Sequence, residues 1–73
     1  MRYFIIYKVN DDYTKKEYCC TETARFAKTA LRNYAKELMN SGIKSIIYNE
    51  YRKEYELVTS YGACFIAEAG LHI

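Results

Sequence analysis

The segment Arg2–Val9, RYFIIYKV, is apolar on both of its faces, because Tyr3, Ile5, Tyr7 and Val9 alternate with Phe4 and Ile6. Side chains of a strand point alternately to the two sides of a sheet, so a strand of this kind belongs in the middle of one, with cover above and below. The rest of the chain offers a single long helical pattern. One helix covers one face of a small sheet, so the other face must be hidden by the C-terminal segment or by another molecule.

The remaining elements follow from local signals. Asn10, Asp11 and Asp12 form a turn cluster, since Asn and Asp bond their own main chain and tolerate left-handed backbone. The polar strand YTKKEYCC then completes a first hairpin. Thr21 is placed as a helix N-cap with Glu22 in the first turn, and no breaker interrupts the chain before Gly42. On that helix Ala24, Ala27, Leu31, Tyr34, Ala35 and Leu38 share one arc, the stripe that packs on a sheet.

Beyond Gly42, the IKSIIYN and EYELVTSY segments read as a second hairpin. Tyr55, Leu57, Thr59 and Tyr61 lie on one side of the latter, and Glu54, Glu56 and Ser60 on a side open to water. Tyr51 to Lys53 form the charged turn between them. Residues 62–73 are compatible with a fifth strand or with a helical turn. The fold class is therefore α+β with element order ββαββ, a small antiparallel sheet of four or five strands with one helix on one face.

Seventy-three residues make one domain. A chain this short removes only about 60% of its unfolded surface from water, so its core is one thin layer. Its net charge of +2, from 11 basic and 9 acidic residues, is too small to imply nucleic acid by itself. Apolar runs are too short to cross a bilayer, and Arg2 leads into a strand and not into a signal core. Three cysteines, two of them adjacent, make a poor disulfide framework and suit small thiols in a reducing compartment. Adjacent strand residues face opposite ways, so Cys19 and Cys20 are expected on different faces. The chain is read as cytoplasmic and away from membranes.

Catalysis is disfavoured. The single histidine, His72, is next to the end of the sequence, and the acidic pairs Asp11/Asp12 and Glu54/Glu56 fall in a turn and on a watered strand face. Cys19, Cys20, Cys64 and His72 are the soft ligands present, and adjacent cysteines do not give the spacing of a zinc site. Neither a metal nor a cofactor is expected.

Two surfaces are candidates for a partner. Arg25, Lys28, Arg32 and Lys36 fall within about 80° of helical arc with no acid between them, and like charges at that spacing repel unless something negative faces them. Tyr48, Tyr51, Arg52 and Tyr55 collect in the second hairpin, and Tyr and Arg supply rigid area with a polar tip, as interface hot spots require. The expected function is a non-enzymatic protein-binding module, alone or as a homodimer. The alternative is nucleic-acid binding through the basic helix face.

The strand, Thr and Ala/Lys helix of YTKKEYCCTETARFAKTALRNYAKEL, in a chain of this size and element order, resemble the small ββαββ accessory proteins of phages and mobile elements. Some of these inhibit host nucleases or defence complexes by occluding a surface. The resemblance implies a stoichiometric binder and assigns no individual residues.

Overall fold

The computed structural model describes residues 2–38 and 42–70. Five strands and a helix follow in the order β1 (Arg2–Val9), β2 (Lys16–Ala24), α1 (Ala27–Glu37), β3 (Lys44–Asn49), β4 (Glu54–Thr59) and β5 (Cys64–Ala69). They form one sheet of order β2-β1-β5-β4-β3 in which every neighbouring pair is antiparallel. Three tight connections make hairpins, and α1 carries the chain across one face from the β2 edge to the β3 edge.

The two-faced strand β1 is internal, as its composition requires, with β2 and β5 on its flanks. Among the described residues the C-terminal segment does not cover the second face. It enters the sheet as β5, between β1 and β4, where Phe65, Ile66 and Ala67 are buried. Gly62 opens that strand with a left-handed φ of 91°, and the turn is closed by Ala63 N–H donating to Thr59 Oγ1 at 3.0 Å. Thr59 thus satisfies its own buried hydroxyl while holding β5 in register.

The helix begins at Ala27, later than the Thr21 cap signal indicates. Thr21, Glu22, Thr23 and Ala24 instead extend β2, pairing with Ile5, Phe4, Tyr3 and Arg2. Four more antiparallel pairs along β1 outweigh one cap, worth about 1 kcal/mol. Phe26, exposed, stands at the N-cap with extended backbone and no side-chain cap. The chain reverses through Gly42, whose φ of +67° is left-handed and where a Cβ would collide with the Ser60 hydroxyl.

The helix-side core joins Phe4, Ile6, Leu57, Phe65 and Ala67 of the sheet to Ala30 and Leu31 of α1, with Ala27, Tyr34, Ala35 and Leu38 packed at its margin. Tyr34 meets Phe65 edge to face at 5.2 Å between ring centroids. Ala24 belongs to this core from β2 and not from the helix stripe.

A bulge places both adjacent cysteines on the same side. Ile6 pairs with Cys20 and Tyr7 with Tyr18, leaving Cys19 as the extra residue, and both thiols pack against the helix-side core. Cys64 pairs with Val9 and Val58 on the opposite face, and all three cysteines are free.

Candidate protein-binding surface

The basic helix face and the second hairpin meet at one point. Lys28, Arg32 and Lys36 stand at successive i, i+4 steps of α1 over about 12 Å, all exposed. Lys28 Nζ lies 5.4 Å from the centroid of the Tyr55 ring on β4. Tyr55 in turn packs edge to face on its cross-strand partner Tyr48, at 5.0 Å between centroids. Cation, half-buried tyrosine and exposed tyrosine are thus contiguous from the helix to the outer strand β3. Among the described residues neither Lys28, Arg32 nor Lys36 is in an ion pair, the pairs formed being Lys16–Glu68 and Arg52–Glu54. Arg25 is exposed in the bend before α1 and not on the helix, which shortens the ridge from four cations to three.

The four hairpin residues divide. Tyr48 and Tyr55 belong to the helix side, and Tyr51 projects fully exposed from the tip. Arg52 turns to the opposite face, where its guanidinium lies 4.3 Å from the Tyr13 ring centroid and its Nε donates to Glu54 at 2.8 Å. The tip itself is set by Asn49, whose Oδ1 accepts from the backbone N–H groups of Tyr51 and Arg52 at 3.0 and 3.1 Å.

Arg52 is one end of a clamp that covers the second face of the sheet. The loop between β1 and β2 is cross-braced by Asn10 and Asp12, with Asn10 Oδ1 accepting from Lys15 N–H and Asp12 Oδ1 from Thr14. The Thr14 hydroxyl and N–H hold the Asp12 carboxyl below its ordinary range. This loop carries Tyr13 in left-handed backbone, φ 61°, an unfavourable conformation for an aromatic residue. The Tyr13 hydroxyl accepts from Asn49 Nδ2 at 3.3 Å and bonds to Glu56, while Asn49 Nδ2 also donates to Glu56 at 3.2 Å. Glu56 is consequently only 3% exposed, although its strand position had placed it in water. On the same face Ile66 and Val9 are buried outside the helix-side core, and Lys16 sits 4.9 Å over the Tyr7 ring while pairing with Glu68.

The acid–base character of this clamp is structural. Its bond to Glu56, followed by burial, pushes the Tyr13 phenol up to about 12. Burial, with the Glu56 charge next, raises the Cys64 thiol as well. A protonated phenol and a protonated thiol at neutral pH are poor as base and nucleophile. The meeting of Tyr13, Asn49 and Cys64 around Glu56 was not anticipated, because sequence periodicity assigns a face to a residue but does not show which loop folds over it.

A second polar cluster lies on the helix side, where ligand atoms of Cys20, Glu22 and Glu37 approach within 4.8 Å of one another. It differs from the soft-ligand set considered from sequence, since Cys64 is on the other face and His72 lies outside the described residues. Burial, and then the Glu22 charge, push the Cys20 thiol up to about 11, so the free thiol stays protonated at neutral pH. Burial first, and then a hydrogen bond to Glu37 and its charge, raise the Glu22 carboxyl. A carboxyl whose pKa is higher in the folded than in the unfolded chain stabilises the fold below the unfolded value, and the gain is lost as pH rises through the folded value. Urea midpoints between pH 4 and pH 7 should therefore show Glu22→Gln gaining on the parent chain as pH rises. An identical pH dependence in both proteins would show that the Glu22 carboxyl is not raised by burial and by Glu37.

Among the described residues no helix is long and apolar enough to cross a membrane. No family model, no curated protein and no solved structure matches this chain.

Proposed function

We propose that this chain is a non-enzymatic protein-binding module that occludes an acidic surface on its partner, in the manner of the small phage accessory inhibitors that its size and its strand, Thr and Ala/Lys helix segment resemble. The observation that supports this reading is the continuity of Lys28, Tyr55 and Tyr48, which joins the unpaired cations of α1 to the aromatic side of the second hairpin. Desolvated tyrosine beside uncompensated positive charge is the combination that gives a protein interface both affinity and orientation. Tyr51, free at the tip, lies at the end of the hairpin that carries this surface. Three free cysteines fit action in the cytoplasm.

Nucleic-acid binding is the second reading, favoured by the same three cations standing without an acid between them. The two separate by salt. Three phosphate contacts would make oligonucleotide affinity fall by about 40-fold between about 50 and 200 mM salt. The expected result is a protein captured from the native host by the parent chain at physiological salt, and at least about hundredfold weaker capture by the Lys28→Glu, Arg32→Glu, Lys36→Glu variant. Tight oligonucleotide binding with that salt slope, lost in the same variant, would sink the protein-binding reading.

A further inference from the structure

The two edges of the sheet are built differently. At the β2 edge, Lys15, Lys16 and Glu17 and the bulge at Cys19 break up the strand, devices that discourage a second strand from adding. The β3 edge has none of them. Between Lys44 and Glu50 it carries Ser45, Ile46, Ile47, Tyr48 and Asn49 with no charge and no bulge, and its register with β4 is regular throughout. Ile43, Ile47 and Tyr48 are 77%, 46% and 50% exposed.

We infer that β3 is the seam of a homodimer, in which two copies pair antiparallel edge to edge around Ile47 and fuse their sheets into one of ten strands. The direction of the backbone groups permits it. The Ile43 carbonyl accepts from Ser60 N–H on the β4 side at 2.9 Å. By antiparallel alternation, Lys44, Ile46 and Tyr48 therefore turn their own N–H and C=O groups outward. A two-fold axis perpendicular to the sheet keeps each side chain on its face, so only residues of equal parity can pair.

Centring the axis on Ile47 satisfies that condition and matches the side chains. Ile47 then opposes Ile47 of the second copy, Ile46 opposes Tyr48, Ser45 opposes Asn49, and Lys44 opposes Glu50. The last pair occurs twice and is of opposite charge. Moving the axis to Ile46 would set Lys44 against Tyr48 and Ser45 against Ile47, losing both ion pairs and the apolar match. The charges that flank this uncharged strand are thus self-complementary in one register. Both helices would lie on the same side of the joined sheet, with the Lys28–Tyr55–Tyr48 surfaces flanking the seam. A six-residue seam is short, so the dimer is transient and grows with chain concentration.

Sedimentation equilibrium from micromolar to millimolar chain tests the register. The parent chain is expected to dimerise. Lys44→Glu and Glu50→Lys each place two like-charge pairs at the seam and should each weaken the dimer by about tenfold or more. Mixing the two variants restores opposite charge at both ends, so an equimolar mixture should associate as the parent does. Ile47→Lys, at an exposed position, should also give a folded monomer by circular dichroism. A parent chain that is monomeric throughout, a dimer indifferent to Ile47→Lys, or single variants that do not recover on mixing would overturn the inference. These outcomes are independent of partner capture, which the helix-face reversals read.

Discussion

Leu57→Ala should cost about 3–4 kcal/mol, from about a third to nearly all of the domain's stability. Leu57 is fully buried on β4, directly opposite Phe65, in the core that also holds Leu31 of the helix. Removing a buried leucine side chain forfeits its transfer free energy and opens a cavity, typically about 2–5 kcal/mol together. The scale against which this is set is small. A chain of this length has about 4–11 kcal/mol in total, and its single thin layer has no second shell to relax into the gap. Val58→Ala is the control, one residue along on the other face and half-buried, where about 1 kcal/mol is expected. Urea denaturation followed by circular dichroism measures both. A loss under about 1 kcal/mol at Leu57, or equal losses at the two sites, would show that the helix does not close over β4.

What could be read from the sequence were the elements whose signal is local. Alternation in EYELVT, the turn chemistry of Asn10 to Asp12 and the apolar stripe from Ala27 to Leu38 each involve neighbouring residues, and each appears in the structure. The errors lie where a distant partner decides. Thr21 and Glu22 carry a sound cap signal, but the N-terminal half of β1 needs a partner there and β2 extends to supply it. Residues 64–69 are ambiguous alone because a short apolar run suits either a buried strand or a helical turn, and only the vacant position between β1 and β4 selects the strand. The candidate surfaces follow the same division. The helical spacing of Lys28, Arg32 and Lys36 was legible, whereas the contact of Lys28 with Tyr55, and the departure of Arg52 to the other face, depend on how sheet and helix are superposed.

The cover of the second face is the point on which sequence and structure differ most, and it too has a sharp consequence. Tyr13→Phe keeps the ring beneath Arg52 but takes one donor from Glu56, almost wholly buried, leaving it Asn49 and the weakly donating Cys64 thiol. Losing one partner of a buried charged group costs about 1–3 kcal/mol, more than the hydrogen bond contributes net when both partners are present. The unfavourable left-handed backbone at Tyr13 persists only while its side chain is held, so the loop should also loosen. Faster amide exchange at residues 10–15 would report that. The distinguishing experiment is the second substitution. If the cost comes from a stranded carboxyl, Glu56→Leu in the Tyr13→Phe background should recover most of the lost stability, because an apolar pair of similar volume needs no partner. If Tyr13 acts only by filling space, Tyr13→Phe alone should be nearly neutral, and the added Glu56→Leu should recover nothing.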